Sequence, residues 1–153
     1  MKENQEFNLV ATAASGLEAL VGKELRDLGI ECTVENGRAR FKGTMETIAK
    51  TNLWLRTADR VKIVVGEFDA FTFDELFEGT KALPWEEFIP ADGRVWVTKA
   101  SSVKSKLFSP SDIQSIMKKA IVERLRAARK TAIIPETGDA YPLRVFLMKD
   151  IVT

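Results

Sequence analysis

Apolar positions along this chain switch between a period of two and a period near 3.6, and the switches mark out its elements. Phe7-Asn8-Leu9-Val10-Ala11-Thr12-Ala13 predicts a short strand with Phe7, Leu9, Ala11 and Ala13 on one face. Ser15-Gly16-Leu17-Glu18 has the form of a capping box, and Leu17, Leu20, Val21, Leu25 and Leu28 follow at helical spacing until Gly29 stops them. Strands are expected at about residues 30–35 and 38–42, joined by Asn36-Gly37, a dipeptide that accepts the positive φ angles of a tight hairpin. A second helix is expected from about Met45 to Thr57, with Met45, Ile48, Ala49 and Leu53 on its apolar stripe. Val61, Ile63 and Val65 then alternate in a strand ending near Gly66.

The pattern changes after a boundary near residues 66–71. Thr72-Phe73-Asp74-Glu75 is another capping box, opening a short helix with Phe73, Leu76 and Phe77 on one side. A compact apolar segment, Pro84 to Pro90, contains Trp85 and Phe88. Arg94 to Ala100 predicts a strand with Val95, Val97 and Lys99 opposite Trp96 and Thr98. A basic Ser/Lys loop, residues 101–108, leads to the longest helix, which starts with Ser109 as N-cap, Pro110 at the first position and Asp112 in the first turn. Its core stripe is Ile113, Ile116, Met117, Ala120, Ile121, Leu125 and Ala128. Residues 131–140 read as loop and Leu143 to Met148 as a strand. Lys149-Asp150 looks like a hairpin turn, with Ile151-Val152-Thr153 starting the return strand, so the chain is expected to be a piece of a longer protein.

The order strand, helix, strand, strand, helix, strand in the first part is that of a ferredoxin-like domain, giving an α+β fold class. So widespread a fold does not carry function. Composition narrows the chemistry more. The chain has no histidine, so the usual Ser-His and Cys-His nucleophile pairs cannot be built. Its one cysteine, Cys32, excludes an internal disulfide and any multi-cysteine metal site, and reads as a buried strand thiol. No apolar run reaches the roughly 18–20 residues that span a bilayer, and the polar start does not resemble a signal peptide, so no membrane role and a cytoplasmic location are expected. Phosphate-loop, dinucleotide and nucleophile-elbow motifs are missing; no catalytic, cofactor-binding or metal residue is assigned.

Charge is where the sequence speaks. The net formal charge is only +1, yet residues 93–130 carry 10 Lys/Arg against Asp112 and Glu123, while residues 1–92 carry 11 Lys/Arg against 17 Asp/Glu. The cations from Arg94 to Lys130 are expected to converge on one exposed surface, a polyanion footprint. Within it, Lys104 and Lys106 flank Ser105 just before a helix N-terminus, and Ser109 follows, a set suited to phosphate oxygens. Lys118, Lys119 and Arg126 are expected to extend the track along the helix. Trp85 and Phe88 are expected to staple the two domains together, with Trp54 and Trp96 in core or interface positions and Phe108 left open.

Several segments resemble the N-terminal region of bacterial THUMP-domain RNA methyltransferases, of the kind called large-subunit ribosomal RNA guanine methyltransferases or N6-adenine-specific DNA methylases. These are Ala13-Ala14-Ser15-Gly16-Leu17-Glu18, Thr51-Asn52-Leu53-Trp54-Leu55-Arg56, Leu76 to Trp85, and Ser102-Val103-Lys104-Ser105-Lys106-Leu107, in the family's order. The resemblance implies a ferredoxin-like domain over residues 1–68 and an α/β THUMP domain over 69–153, incomplete at its C-terminal end. It implies that the chain presents structured, ribosomal RNA to a tethered methyltransferase domain that uses S-adenosylmethionine and lies beyond this sequence, so the fragment itself needs no cofactor and has no activity. Only the Lys104/Lys106 loop and the adjoining helix are carried over as RNA-facing. The competing readings are a protein-interaction or small-ligand regulatory domain, and the RNA-binding part of a thiouridine- or pseudouridine-forming enzyme.

Overall fold

The structure, a computed structural model, describes residues 4–153. The chain divides into two compact units, Met1–Val64 and Val65–Thr153. The first contains β1 (Phe7–Thr12), α1 (Glu18–Asp27), β2 (Cys32–Glu35), β3 (Arg38–Gly43), α2 (Met45–Trp54) and β4 (Arg60–Val64). Its four strands lie in the antiparallel order β2-β3-β1-β4, the ferredoxin-like arrangement the periodicity implied. Leu9, Ala11, Val21, Leu25, Ala39 and Phe41 are buried in this unit. At the β2–β3 turn Gly37 takes φ +77° but Asn36 does not, so the turn uses the left-handed region at one of the two expected positions.

Both helices of this unit depart from expectation. The box at Ser15 does not form: α1 begins at Glu18 after a turn at Gly16 (φ +95°), and the Glu18 carboxylate accepts the N–H groups of Gly16 (2.8 Å) and Gly37 (3.0 Å). Backbone donors therefore hold its pKa below the usual carboxylate range. On α2 the expected apolar stripe lies mostly outward, with Met45, Ala49 and Leu53 exposed and only Ile48 half-buried; Trp54, expected in a core or interface, is 60% exposed, while Thr51 is fully buried. A buried threonine is tolerated there because its hydroxyl donates to the Thr47 and Ile48 carbonyls, at 2.9 and 3.1 Å.

The second unit contains β5 (Phe68–Asp69), α3 (Phe73–Lys81), a 3-10 turn at Trp85–Glu87, β6 (Arg94–Val103), α4 (Pro110–Arg129), β7 (Ala140–Met148) and β8 (Ile151–Val152). The sheet order is β5-β8-β7-β6, with β6 and β7 parallel and joined through α4, and the other pairs antiparallel. Leu76, Ile89, Val95, Ile113, Ile121, Leu125 and Leu147 form the core between the helices and one face of this sheet. Ala128, placed on the apolar stripe by spacing, is exposed.

Trp85 belongs to that core rather than stapling domains: it is 5% exposed and its Nε1 donates to the Thr80 carbonyl at 2.7 Å. Phe88 packs against the same core, half-buried. Trp96 is not a core residue either, being 56% exposed. The alternation along β6 breaks at Thr98, where the register with β7 slips between Val97 and Lys99. The extra residue of this bulge turns Lys99 to the outer face with Arg94 and Trp96, instead of inward with Val95 and Val97.

Candidate nucleic-acid interface

The loop from Lys104 to Ser109 turns the chain from the end of β6 into α4, and hydrogen bonds fix its shape. Lys104 adopts a left-handed φ of 50°. The Val103 carbonyl accepts the Lys149 N–H (3.1 Å) and the Ser105 hydroxyl (3.0 Å). The Ser105 oxygen in turn accepts the Asp150 N–H at 3.0 Å, and the Asp150 carboxylate accepts the Lys106 N–H at 2.7 Å. Ser102 donates to the Leu107 carbonyl at 2.5 Å, and Leu107 plugs into the core, 5% exposed. The loop is thus clipped to the β7–β8 turn, whose Lys149 and Asp150 both take positive φ, 50° and 66°, as a two-residue hairpin turn needs.

With the backbone held, Lys104 and Lys106 point to solvent, and neither has an ion-pair partner among the described residues. The Lys106 ammonium lies 5.2 Å from the centre of the Phe71 ring. Lys149, which the sequence marks only as a turn residue, is exposed and bonded through its N–H to the Val103 carbonyl, which places it on the same rim. Phe108 stands beside them, 79% exposed.

The serines divide. Ser105 spends its hydroxyl on closing the loop, so its role is structural. Ser109 occupies the N-cap position of α4 but makes no capping bond, its oxygen lying 3.5 Å from that of Ser111. Pro110 has no N–H, so the N–H groups of Ser111 and Asp112 are the donors that open from this helix end.

The remaining cations do not converge on one surface. Lys99 and Arg94 lie on the outer face of the sheet, whereas α4 packs on the inner one. Lys118 and Lys119 project about 100° apart: Lys118 reaches Glu136 at 3.8 Å, and Lys119 lies 5.9 Å from the Phe77 ring on α3. Arg126 is exposed, roughly 10 Å further along the helix. Arg124 and Arg129 serve the fold. Arg124 makes a two-pronged pair with Glu86, at 2.6 and 3.0 Å, and Arg129 donates to the Ile89 carbonyl. The hydrogen bonds from Arg124 hold the Glu86 carboxyl below its usual range against the opposing effect of burial. The expected single surface is therefore a lysine rim at one end of the sheet, with cations spreading from it along two faces.

Comparison with known proteins gives the geometry a context. The description "RlmL ferredoxin-like domain" matches residues 8–62, and "THUMP domain" matches residues 70–153. "Putative RNA methyltransferase YpsC" of Bacillus subtilis is 51% identical over 95% of this chain, which spans 38% of that protein. "Ribosomal RNA large subunit methyltransferase K/L" of Pseudomonas entomophila is 32% identical over 96% of the chain and is spanned over 20% of its length. Among solved structures, "a putative methyltransferase complexed with SAH" superposes with a TM-score of 0.92 at 55% identity, covering 99% of this chain and 41% of that one.

Proposed function

The chain belongs to the THUMP family, with an RlmL-type ferredoxin-like domain ahead of its THUMP domain, and from that premise we propose that it is the RNA-gripping part of a ribosomal RNA methyltransferase. The observation that carries the reading is the rim of Lys104, Lys106 and Lys149, solvent-facing on a backbone locked by Ser105 and Asp150. A rigid rim holds phosphates without losing much loop entropy on binding. Contacts of that kind position an RNA and read little of its sequence. Ser109, Lys118, Lys119 and Arg126 flank the rim as weaker contributors, and Ser105 shapes it.

Methyl transfer falls to the part of the relatives that this chain does not span. Its donor, S-adenosylmethionine, finds a poor fit at the β6–α4 turn. The β6–α4 turn, where a parallel βαβ unit would bring backbone against a cofactor, has no glycine and carries Lys104 and Lys106. Their charge repels a sulfonium cation. We assign this chain grip and positioning at a cytosolic RNA, with tethering supplying a high local concentration of substrate.

The test is the affinity for a structured ribosomal RNA hairpin, followed by fluorescence anisotropy at about 50 and 200 mM salt. A loss of tenfold or more between the two supports phosphate binding; an affinity that ignores salt favours a protein or small-molecule partner instead. In a longer chain that carries the methyltransferase domain, loss of the rim is expected to raise KM for RNA and leave kcat nearly unchanged.

A further inference from the structure

We propose that the outer face of the second sheet is a stacking platform for a single-stranded RNA segment, with Trp96 taking a base on its ring and Lys99 and Arg144 holding adjacent phosphates. The inference rests on the RNA reading above and adds to it a site that the rim does not contain.

The β6 bulge makes the platform. Strict alternation from Val97 would point Lys99 into the core; the extra residue at Thr98 brings it out on the side of Trp96. The same register places Lys99 directly beside Arg144 of β7, and Trp96 beside Pro142. Neighbouring strands lie about 4.8 Å apart, and Lys99 stands three residues, about 10 Å, along the strand from Trp96. Two cations therefore sit together just past an exposed indole, with an apolar proline at its side. Lys99, Arg144 and Arg94 have no ion-pair partner among the described residues, and all three are exposed.

Charge is polarised across this face. Asp69 of β5, paired with Ile151, and Glu67 just before it, which accepts a hydrogen bond from Thr153, lie at the β5 edge, while exposed Asp139 precedes β7 beside Arg94 at the start of β6. The β6–β7 half is basic and aromatic. A positively charged track beside an aromatic ring that offers its face is the arrangement that binds unpaired bases, whatever their sequence. A duplex does not meet it, because paired bases keep their faces stacked inside. The strand order also gives the segment a direction: β6 runs from Trp96 past Lys99 to Val103, and the lysine rim begins one residue later at Lys104. A structured RNA held at the rim would thus lay an unpaired extension across the sheet.

The experiment compares the wild-type chain with Trp96→Ala, Trp96→Phe, Lys99→Ala/Arg144→Ala and Lys104→Ala/Lys106→Ala, using a labelled single-stranded oligouridine and a blunt RNA hairpin. Trp96→Ala is expected to weaken oligouridine binding about tenfold and hairpin binding by less than twofold, while Trp96→Phe stays within about threefold of wild type. Lys99→Ala/Arg144→Ala should lower the salt slope for oligouridine by about 1.4. Oligouridine affinity unchanged in Trp96→Ala, with the rim variant still impaired, would overturn the platform and leave the rim reading standing. No RNA binding by the wild-type chain would remove both. Should Trp96→Ala abolish self-association in sedimentation while RNA affinity holds, the face is a protein contact and the proposal fails.

Discussion

Replacing Lys104 and Lys106 together by alanine isolates the electrostatic contribution of the rim, because the loop's geometry does not depend on either ammonium. The bonds that hold Lys106 to the fold run through its backbone N–H, which alanine keeps. Its side chain contributes one exposed cation–π contact with Phe71, worth about 0.5–1 kcal/mol. Alanine at 104 must still adopt the left-handed φ, so that strain is carried over. The double variant should therefore lose no more than about 1 kcal/mol of stability. On RNA, each neutralised phosphate contributes about 0.9 to the salt slope on a duplex and about 0.7 on a single strand. Removing two contacts lowers the slope by about 1.4–1.8. If the lysines act only through counterion release, the two binding curves meet near 1 M salt and stand about 25- to 60-fold apart at 0.1 M. Anisotropy titrations at four salt concentrations, with a thermal melt of each protein, measure both quantities. A slope equal to that of wild type, with the melt unchanged, would refute phosphate binding by the rim.

Three further outcomes follow from single contacts in the fold. Asp150→Ala removes the acceptor of the Lys106 N–H and should cost about 2 kcal/mol in urea unfolding; RNA affinity should fall as well, since the rim loses its clip while keeping its lysines. Gly79→Ala should destabilise by about 1–3 kcal/mol, although alanine is the better helix former, because a Cβ there would lie 2.4 Å from the Phe68 ring; a raised melting temperature would contradict this packing. The Glu86 carboxyl is held below its ordinary pKa in the folded state, chiefly by Arg124, so its stabilising contribution is present above the unfolded pKa and lost as pH falls through the folded one. Thermal melts from about pH 5 down to pH 3 should accordingly fall more steeply for wild type than for Glu86→Gln; parallel curves would argue against the pair.

Local pattern determined much of this protein. Alternation, helical spacing and the Asn36-Gly37 turn located the four helices and every strand except β5, whose two residues at the domain boundary are too few to show a period. The cap at Thr72 formed as the sequence implied, its oxygen accepting the Glu75 N–H at 3.2 Å, and the Lys104/Lys106 loop fell between β6 and α4. What the pattern missed depended on partners distant in sequence. The Ser15 box lost to Gly37, which draws Glu18 across to the hairpin tip. The stripe on α2 turned outward because Thr51 satisfies its own hydroxyl and can be buried. Lys99 changed face because β7 imposes a register that a single strand cannot encode. Charge was legible as a count, but its direction was not: Arg124 and Arg129 look like RNA contacts until Glu86 and the Ile89 carbonyl, some 40 residues away, are brought against them. Periodicity records how each residue relates to its own element, and only the tertiary structure decides which element lies opposite.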